Sequence, residues 1–515
     1  MQQQGKSRLK ILFGVLVIEL AFIALFAYEF DSFWQYAAAY KLLLGKKMYV
    51  DFNYQQMPLL AFVYAAFFYF TGVSLFWGRM VGLFFGLATV GISVKALQIL
   101  NREAGEPGRD TTVESLLWAH LFIWSPALYL VNYDTKTFFV SFLMTALLCL
   151  FMLDRSHASS GVAGAVAALL GLIKLTYIPL GALYLAAQVA SKRYKAAQFF
   201  AFTASYALLL GGVVGYFYHR SPELFYFMTV TGLIATKRLG FDTTQWVLGM
   251  VEPHAFVSTI LNFVTGYLAL PLAVLWGVRG RIIWNVKKPA SWGPLCGLGL
   301  LWGVWMFIAS TIIPGQGNGA HYFSVYMPAV LFFFAVALDR SGLINIWVQL
   351  PALNKALIFS LAIIVNLNLV HNNPLQGSSI PRINNLERMI SQYRMARAIR
   401  RLTPPNAVGF AYPRYGQSLF TAQRDCINGN ETTDNYLALS MNSANAERFH
   451  LMTRERENQI FTQQKVDFIV IDNKTLPKLT KDFDLGNKPL PDFGYVEAYA
   501  DSFADLYVNK RLIKS

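Results

Sequence analysis

A handful of charged side chains in this sequence stand where charge is costly, and their types suggest acid–base and phosphate chemistry. Glu29 and Asp31 follow the first apolar run. Asp51 lies in the polar stretch GKKMYVDFNYQQ (45–56), and Asp134 directly precedes the apolar run that opens at Thr135. An ionised side chain inside hydrocarbon costs roughly 2.5–3.5 kcal/mol even on lenient scales. Taken singly, each carboxylate reads as a solvated helix end. Taken together, four carboxylates from three segments at one depth are what a general base or a hard cation needs. Lys174, in GLIKLTYIPL, either snorkels to water or meets a phosphate oxygen as a point charge. His321 sits in GQGNGAHYFSVYMP. A lone histidine is more often a hydrogen-bonded structural residue, but Gly315, Gly317 and Gly319 let backbone come close to a bound group. Lys237 and Arg238 read more simply as a solvated loop pair.

The elements that must position these residues are membrane helices. The chain has 515 residues, 55% hydrophobic and only 14% charged, against roughly 25% charged in soluble domains. Up to about residue 370 it is a series of apolar runs, and beyond Pro374 it reads as soluble protein. Runs fit to span a bilayer are 11–28, 76–99, 114–131, 137–153, 161–173, 176–190, 198–217, 257–278, 293–313, 323–338 and 356–371. The first has no small-residue cleavage site and reads as a retained helix. The pair 161–173 and 176–190 is short for a core of ~30 Å and is expected to be tilted or half-spanning.

The net charge of +15 belongs to this pattern and not to nucleic acid. Lys and Arg gather in alternate gaps: Lys6, Arg8 and Lys10; Arg102 and Arg109; Lys192, Arg193 and Lys195; Arg279, Arg281, Lys287 and Lys288. This is the positive-inside signature. With the N-terminus cytoplasmic, about eleven crossings bring Asp31, Asp51, Asp134, Lys174 and His321 to one outer surface and leave residues 374–515 outside. Within the first outer segment, 33–44 and 57–71 are apolar but reach only ~18 Å and ~22 Å as helices. They are expected at the interface, with Trp34, Tyr36, Tyr40, Tyr64 and Tyr69 at headgroup depth. The three cysteines, two in apolar runs and one in the soluble part, give no disulfide framework and no zinc site.

Residues 374–515 read as a small soluble α/β domain beside the membrane domain, 1–373. SQYRMARAIRRL (391–402) is a predicted helix stopped by Pro404–Pro405. AVGFAY (407–412) and VDFIVIDN (466–473) are predicted strands with a helical stretch, 443–464, between them. The tail GYVEAYADSFADLYVNKRL reads as a hairpin turning near Asp501–Ser502.

On these residues the chain resembles the C-type (GT-C) glycosyltransferases, in the branch that holds protein O-mannosyltransferases, the lipid A aminoarabinose transferase and related bacterial polyprenyl-phosphate-sugar transferases. The likeness rests on the carboxylate opening FDSFWQYAAAYKLLLGKKMYVDFNYQQMPLLAFVYA, on Asp134–Thr135, on the lysine of LIKLTY, on HYFSVYMP, and on the two-part plan. It implies a multi-pass GT-C-like membrane protein with interfacial helices in its first outer loop. It also implies transfer of a sugar, with inversion, from a polyprenyl-phosphate-linked donor to a lipid, glycan or protein acceptor. By position, the resemblance makes Asp31 the general base. Asp51, Asp134, Lys174, His321 and Tyr322 become substrate contacts, and Asp51 with Asp134 the positions for a divalent cation (Mg, Mn or Zn). Many relatives carry a second carboxylate after the first, where this chain has Ser32. The implied setting is a bacterial inner membrane, among membrane lipids, with the α/β domain periplasmic.

Two other classes compete. A secondary transporter needs broken helices and polar residues at mid-membrane, but here the embedded charges cluster at one face and Glu19 is the only acid deep in a span. A membrane acyltransferase or polymer ligase acting on lipid-linked substrates would lean on catalytic histidine or arginine-rich outer loops, and neither is prominent.

Overall fold

The computed structural model describes residues 32–105, 135–153, 156–231, 292–311, 384–411, 416–428, 443–472 and 490–513, with a few single positions besides. In chain order the helices begin with α1 (Ser32–Leu43), α2 (Leu59–Thr71), α3 (Leu75–Glu103), α4 (Thr135–Met152) and α5 (His157–Gly171). Then come α6 (Ile178–Ala190), α7 (Ala196–Arg220), α8 (Pro222–Tyr226), α9 (Trp292–Thr311) and α10 (Asn384–Leu402). The remainder alternates β1 (Val408–Ala411), α11 (Gly416–Thr421), β2 (Asp425–Cys426), α12 (Ser443–Arg448), α13 (Arg454–Thr462), β3 (Phe468–Asp472), β4 (Tyr495–Ala500) and β5 (Ala504–Asn509). The apolar runs expected at 76–99, 137–153, 161–173, 176–190, 198–217 and 293–313 are thus all helical. Those at 11–28, 114–131, 257–278, 323–338 and 356–371 lie, apart from single positions, outside the described residues.

Among the described residues, α3 and α7 are long and apolar enough to cross a bilayer. α7 carries its apolar side chains outward: Phe200 is 67% and Leu208 76% exposed. Apolar surface on that scale suits hydrocarbon and not water. α5 and α6 are shorter, about 22 Å and 20 Å at 1.5 Å per residue, in keeping with the short pair read from the sequence.

The described residues fall into two compact units. One comprises 82–105, 135–213 and 292–311; the other gathers 32–81, 214–231 and the described parts of 384–513. In the first, small residues let helices approach closely. A Cβ on Gly164 of α5 would lie 2.2 Å from the carbonyl oxygen of Phe202 on α7, so only glycine fits. Ser156 caps α5 by accepting the Ser159 N–H, and Pro179 sets the first turn of α6.

In the second unit, a five-stranded mixed sheet runs β2-β1-β3-β5-β4. β1 is parallel to β2 and β3, while β5 is antiparallel to β3 and β4. One core joins Phe410, Ile469 and Ile471 of the strands to Ile460 and Phe461 of α13. Tyr495, buried with its hydroxyl donating to Val466 O, has its phenol pushed up to about 12, chiefly by burial. The hairpin turns where the sequence placed it, because Asp501 Oδ1 accepts from the N–H groups of Phe503 and Ala504. The helical stretch expected over 443–464 is two helices, broken at 449–453, where His450 takes a left-handed φ of 51° and Thr453 caps α13.

α1 and α2 belong to this same unit. Tyr36 packs edge-on against Tyr64 and Phe68, with ring centroids 5.0 and 5.4 Å away, and it sits where a Cβ on Gly78 would be. Tyr40 lies against Phe420 of α11. Tyr36, Tyr40 and Tyr64 are all buried: their rings fill protein interior. Tyr69 does stand out, 75% exposed beside Phe70.

Candidate functional site

Two stretches among the described residues carry sequence-nominated side chains: the polar hinge 45–56 with Asp51, and the turn holding Lys174. They lie in different compact units.

The hinge begins where α1 stops. Gly45 adopts φ 78°, its N–H bonds to Leu42 O, and the Lys46 N–H reaches back to Lys41 O, both at 3.0 Å. This paired closure satisfies the last carbonyls of the helix. A tight turn follows, in which Lys47 O accepts from Val50 N and Asp51 N. Tyr49, at φ 60°, holds a backbone geometry uncommon for a bulky residue. Its ring is buried edge-on to Phe217 and Phe225 at 5.2 and 5.0 Å, and its hydroxyl donates to Gln56 O. Burial pushes that phenol well above its ordinary range, with Tyr54 adding to the shift.

Asp51 is half-buried. Its Oδ2 accepts the Lys47 N–H at 2.6 Å, so the carboxylate closes its own turn. The hinge is then held from the α/β domain. Asn428 Nδ2 donates to Asp51 O at 2.8 Å, His450 Nε2 contacts Val50 O at 3.0 Å, and Asn53 Nδ2 donates to His450 O. A carbonyl can only accept, so His450 carries its proton on Nε2.

Beneath these contacts lies Lys41 of α1, wholly buried. Its Nζ donates to Cys426 O at 3.0 Å and Asn428 Oδ1 at 2.8 Å, with Asp425 Oδ1 at 3.4 Å. Lys46 pairs with the other oxygen of Asp425. A buried ammonium needs this density of partners to persist. Beside it, burial raises the Tyr40 phenol, Asp425 adds to the rise and Arg424 opposes it. Sequence reading passed over Lys41, Asp425, Asn428 and His450. The available signal was Lys41 itself, the one charge in the apolar stretch FWQYAAAYKLLL.

Lys174 stands in extended conformation between α5 and a short 3-10 turn, Leu175–Tyr177. Two indoles pin this corner: Trp305 Nε1 donates to Thr176 O at 2.8 Å and Trp302 Nε1 to Leu180 O at 3.0 Å. Tyr206 donates to Ile178 O. Lys174 is only 9% exposed, so it is not a chain end snorkelled into open solvent.

Asp31, which directly precedes α1, and Asp134, which directly precedes α4, lie outside the described residues, as do Glu29, His321 and Tyr322. Among the described residues no group of three or more His, Cys, Asp or Glu side chains could hold a metal ion. Asp51 commits one oxygen to a backbone N–H. Of the two positions nominated for a divalent cation, Asp51 is described and Asp134 is not.

The sequence matches no family model and no curated protein. Its fold, however, matches solved structures from end to end. ArnT from Cupriavidus metallidurans bound to undecaprenyl phosphate superposes with a TM-score of 0.63 at 13% identity, over 97% of each chain. The same protein in the apo state gives 0.64 at 13% identity, over 98% of this chain and 99% of ArnT. At 13% identity the likeness is one of fold: this chain is folded as ArnT is over nearly its whole length.

Proposed function

We propose that this chain is a glycosyltransferase that moves a sugar from a polyprenyl-phosphate-linked donor to a lipid, glycan or protein acceptor at the outer face of the membrane. The observation that carries this reading is the full-length fold match to ArnT, whose structure holds undecaprenyl phosphate. The alternation of basic loops supports a cytoplasmic N-terminus and a periplasmic α/β domain at a bacterial inner membrane.

The chemistry requires a base on one side of the sugar and positive charge on the other. Asp31 takes the proton of the acceptor hydroxyl. The freed oxygen attacks the anomeric carbon, and the bond from that carbon to the phosphate oxygen breaks, its electron pair leaving with the lipid phosphate. Attack opposite the leaving group inverts the anomeric centre. Lys174 meets the negative charge that grows on the phosphate. Its near-complete burial supports this role, since a charge in low dielectric acts more strongly than one in water. Asp51, Asp134, His321 and Tyr322 orient the donor. No step is routed through a metal.

The test is incubation of the purified protein with a panel of polyprenyl-phosphate sugars, scoring release of the lipid phosphate. Replacing Asp31 with Asn should lower turnover about 10²–10⁴-fold at unchanged expression. Wild-type turnover in Asp31→Asn would reassign the base. No release from any donor with adequate acceptors would sink the reading.

A further inference from the structure

Four residues of the described α/β domain grip a segment nearly four hundred positions earlier. We infer that this domain acts as the brace that sets the position of Asp51, with Asn428 as the positioning residue; this rests on the glycosyltransferase reading above.

The geometry is specific about how Asn428 works. Lysine has donors and no acceptor, so the amide oxygen must face Lys41, and the amide nitrogen is left to face the backbone of Asp51. One side chain therefore ties a buried charge of α1, through Oδ1 at 2.8 Å, to the carbonyl of Asp51, through Nδ2 at 2.8 Å. The two halves of that grip differ in purpose. The Lys41 half holds α1 to the domain and is shared with Cys426 O and Asp425. The Asp51 half holds a single point of the hinge, one residue from the His450 contact at Val50 O. Asp51 already spends carboxylate oxygen Oδ2 inside the hinge, so its side chain points wherever the turn points. Fixing the backbone fixes the carboxylate.

This division allows a substitution that keeps one half and cuts the other. Asn428→Asp retains an acceptor for Lys41, now charged, and loses the donor to Asp51 O, while Asn428→Ala loses both. With the full chain in detergent, Asn428→Asp should melt above Asn428→Ala, because it keeps the acceptor for Lys41. Amide hydrogen exchange over 44–56 should quicken in both. Lipid-phosphate release by Asn428→Asp should fall in kcat on the order of ten- to a hundredfold, the scale of a small misplacement, with KM for the lipid donor unchanged.

A positioning role is overturned if Asn428→Asp keeps wild-type kcat with unaltered exchange at 44–56. It is equally overturned if that variant melts as low as Asn428→Ala, since the residue would then be structural only. Quickened exchange at 44–56 beside a wild type that releases no lipid phosphate from any donor would defeat the glycosyltransferase reading and keep the mechanical link.

Discussion

Among the described residues two lysines are buried in apolar stretches, and the groups around them differ. Lys41 lies in a polar nest assembled from another part of the chain: a backbone carbonyl, an amide oxygen and a carboxylate, all from residues 425–428. Lys174 lies at a corner whose backbone is pinned by tryptophan indoles on Thr176 O and Leu180 O. In the first case the charge is the fastener. In the second the backbone of the corner is fastened by groups other than the charge. A buried charge is therefore a functional candidate only after one asks whether the fold would hold without it.

The same substitution at both sites is the sharpest way to break this contrast. Lys41→Met strips the donor from Cys426 O and Asn428 Oδ1 and leaves Asp425 with Lys46 alone. Losing one partner of a buried ion pair costs about 3 kcal/mol or more, so the melting temperature of the full chain should drop clearly. Lys174→Met should lower melting less than Lys41→Met does, because the indole bonds to Thr176 O and Leu180 O remain. Its cost should fall on turnover instead, about a hundredfold, as for loss of one preorganised electrostatic group. If Lys174→Met unfolds the chain while Lys41→Met leaves it intact, the assignment of roles is reversed.

That contrast also marks how far the sequence could be read. The α5–α6 corner was legible because its signals are local: two short apolar runs, a lysine between them, and Pro179 where the second helix starts. The strands at 408–411 and 468–472 and the hairpin at Asp501 were legible for the same reason. The Lys41 nest was not. Its partners lie 384–387 residues away in sequence, and nothing in FWQYAAAYKLLL distinguishes a helix lying on headgroups from one packed on a protein domain. Tyr36 and Tyr40 give no help here, since rings with one polar edge satisfy both environments. Asp51 stood out as an isolated acid in a polar hinge, but that its carboxylate caps its own turn depends on a backbone path through a left-handed tyrosine.

The smallest expected effect tests whether the brace is polar in character, as the Lys41 nest implies, and hence open to pH. On the β4–β5 hairpin, Asp505 has its carboxyl raised above the ordinary range, first by burial and then by Glu497 and Asp501. The folded state thus binds its proton more tightly than the unfolded chain does. Its contribution to stability is fully present below the unfolded carboxylate pKa of about 4 and is lost as pH rises through the higher, folded value. Asp505→Asn removes that loss. Its melting temperature should therefore match wild type in acid and exceed it slightly at neutral pH, the gap opening across that window and then staying constant. Hydrogen exchange at 495–509 should follow the same course. A gap that is already present in acid, or that closes as pH rises, would mean that the carboxyl is not held against its charge, and that repulsion from Glu497 and Asp501 does not strain the hairpin on which the far edge of the brace is built.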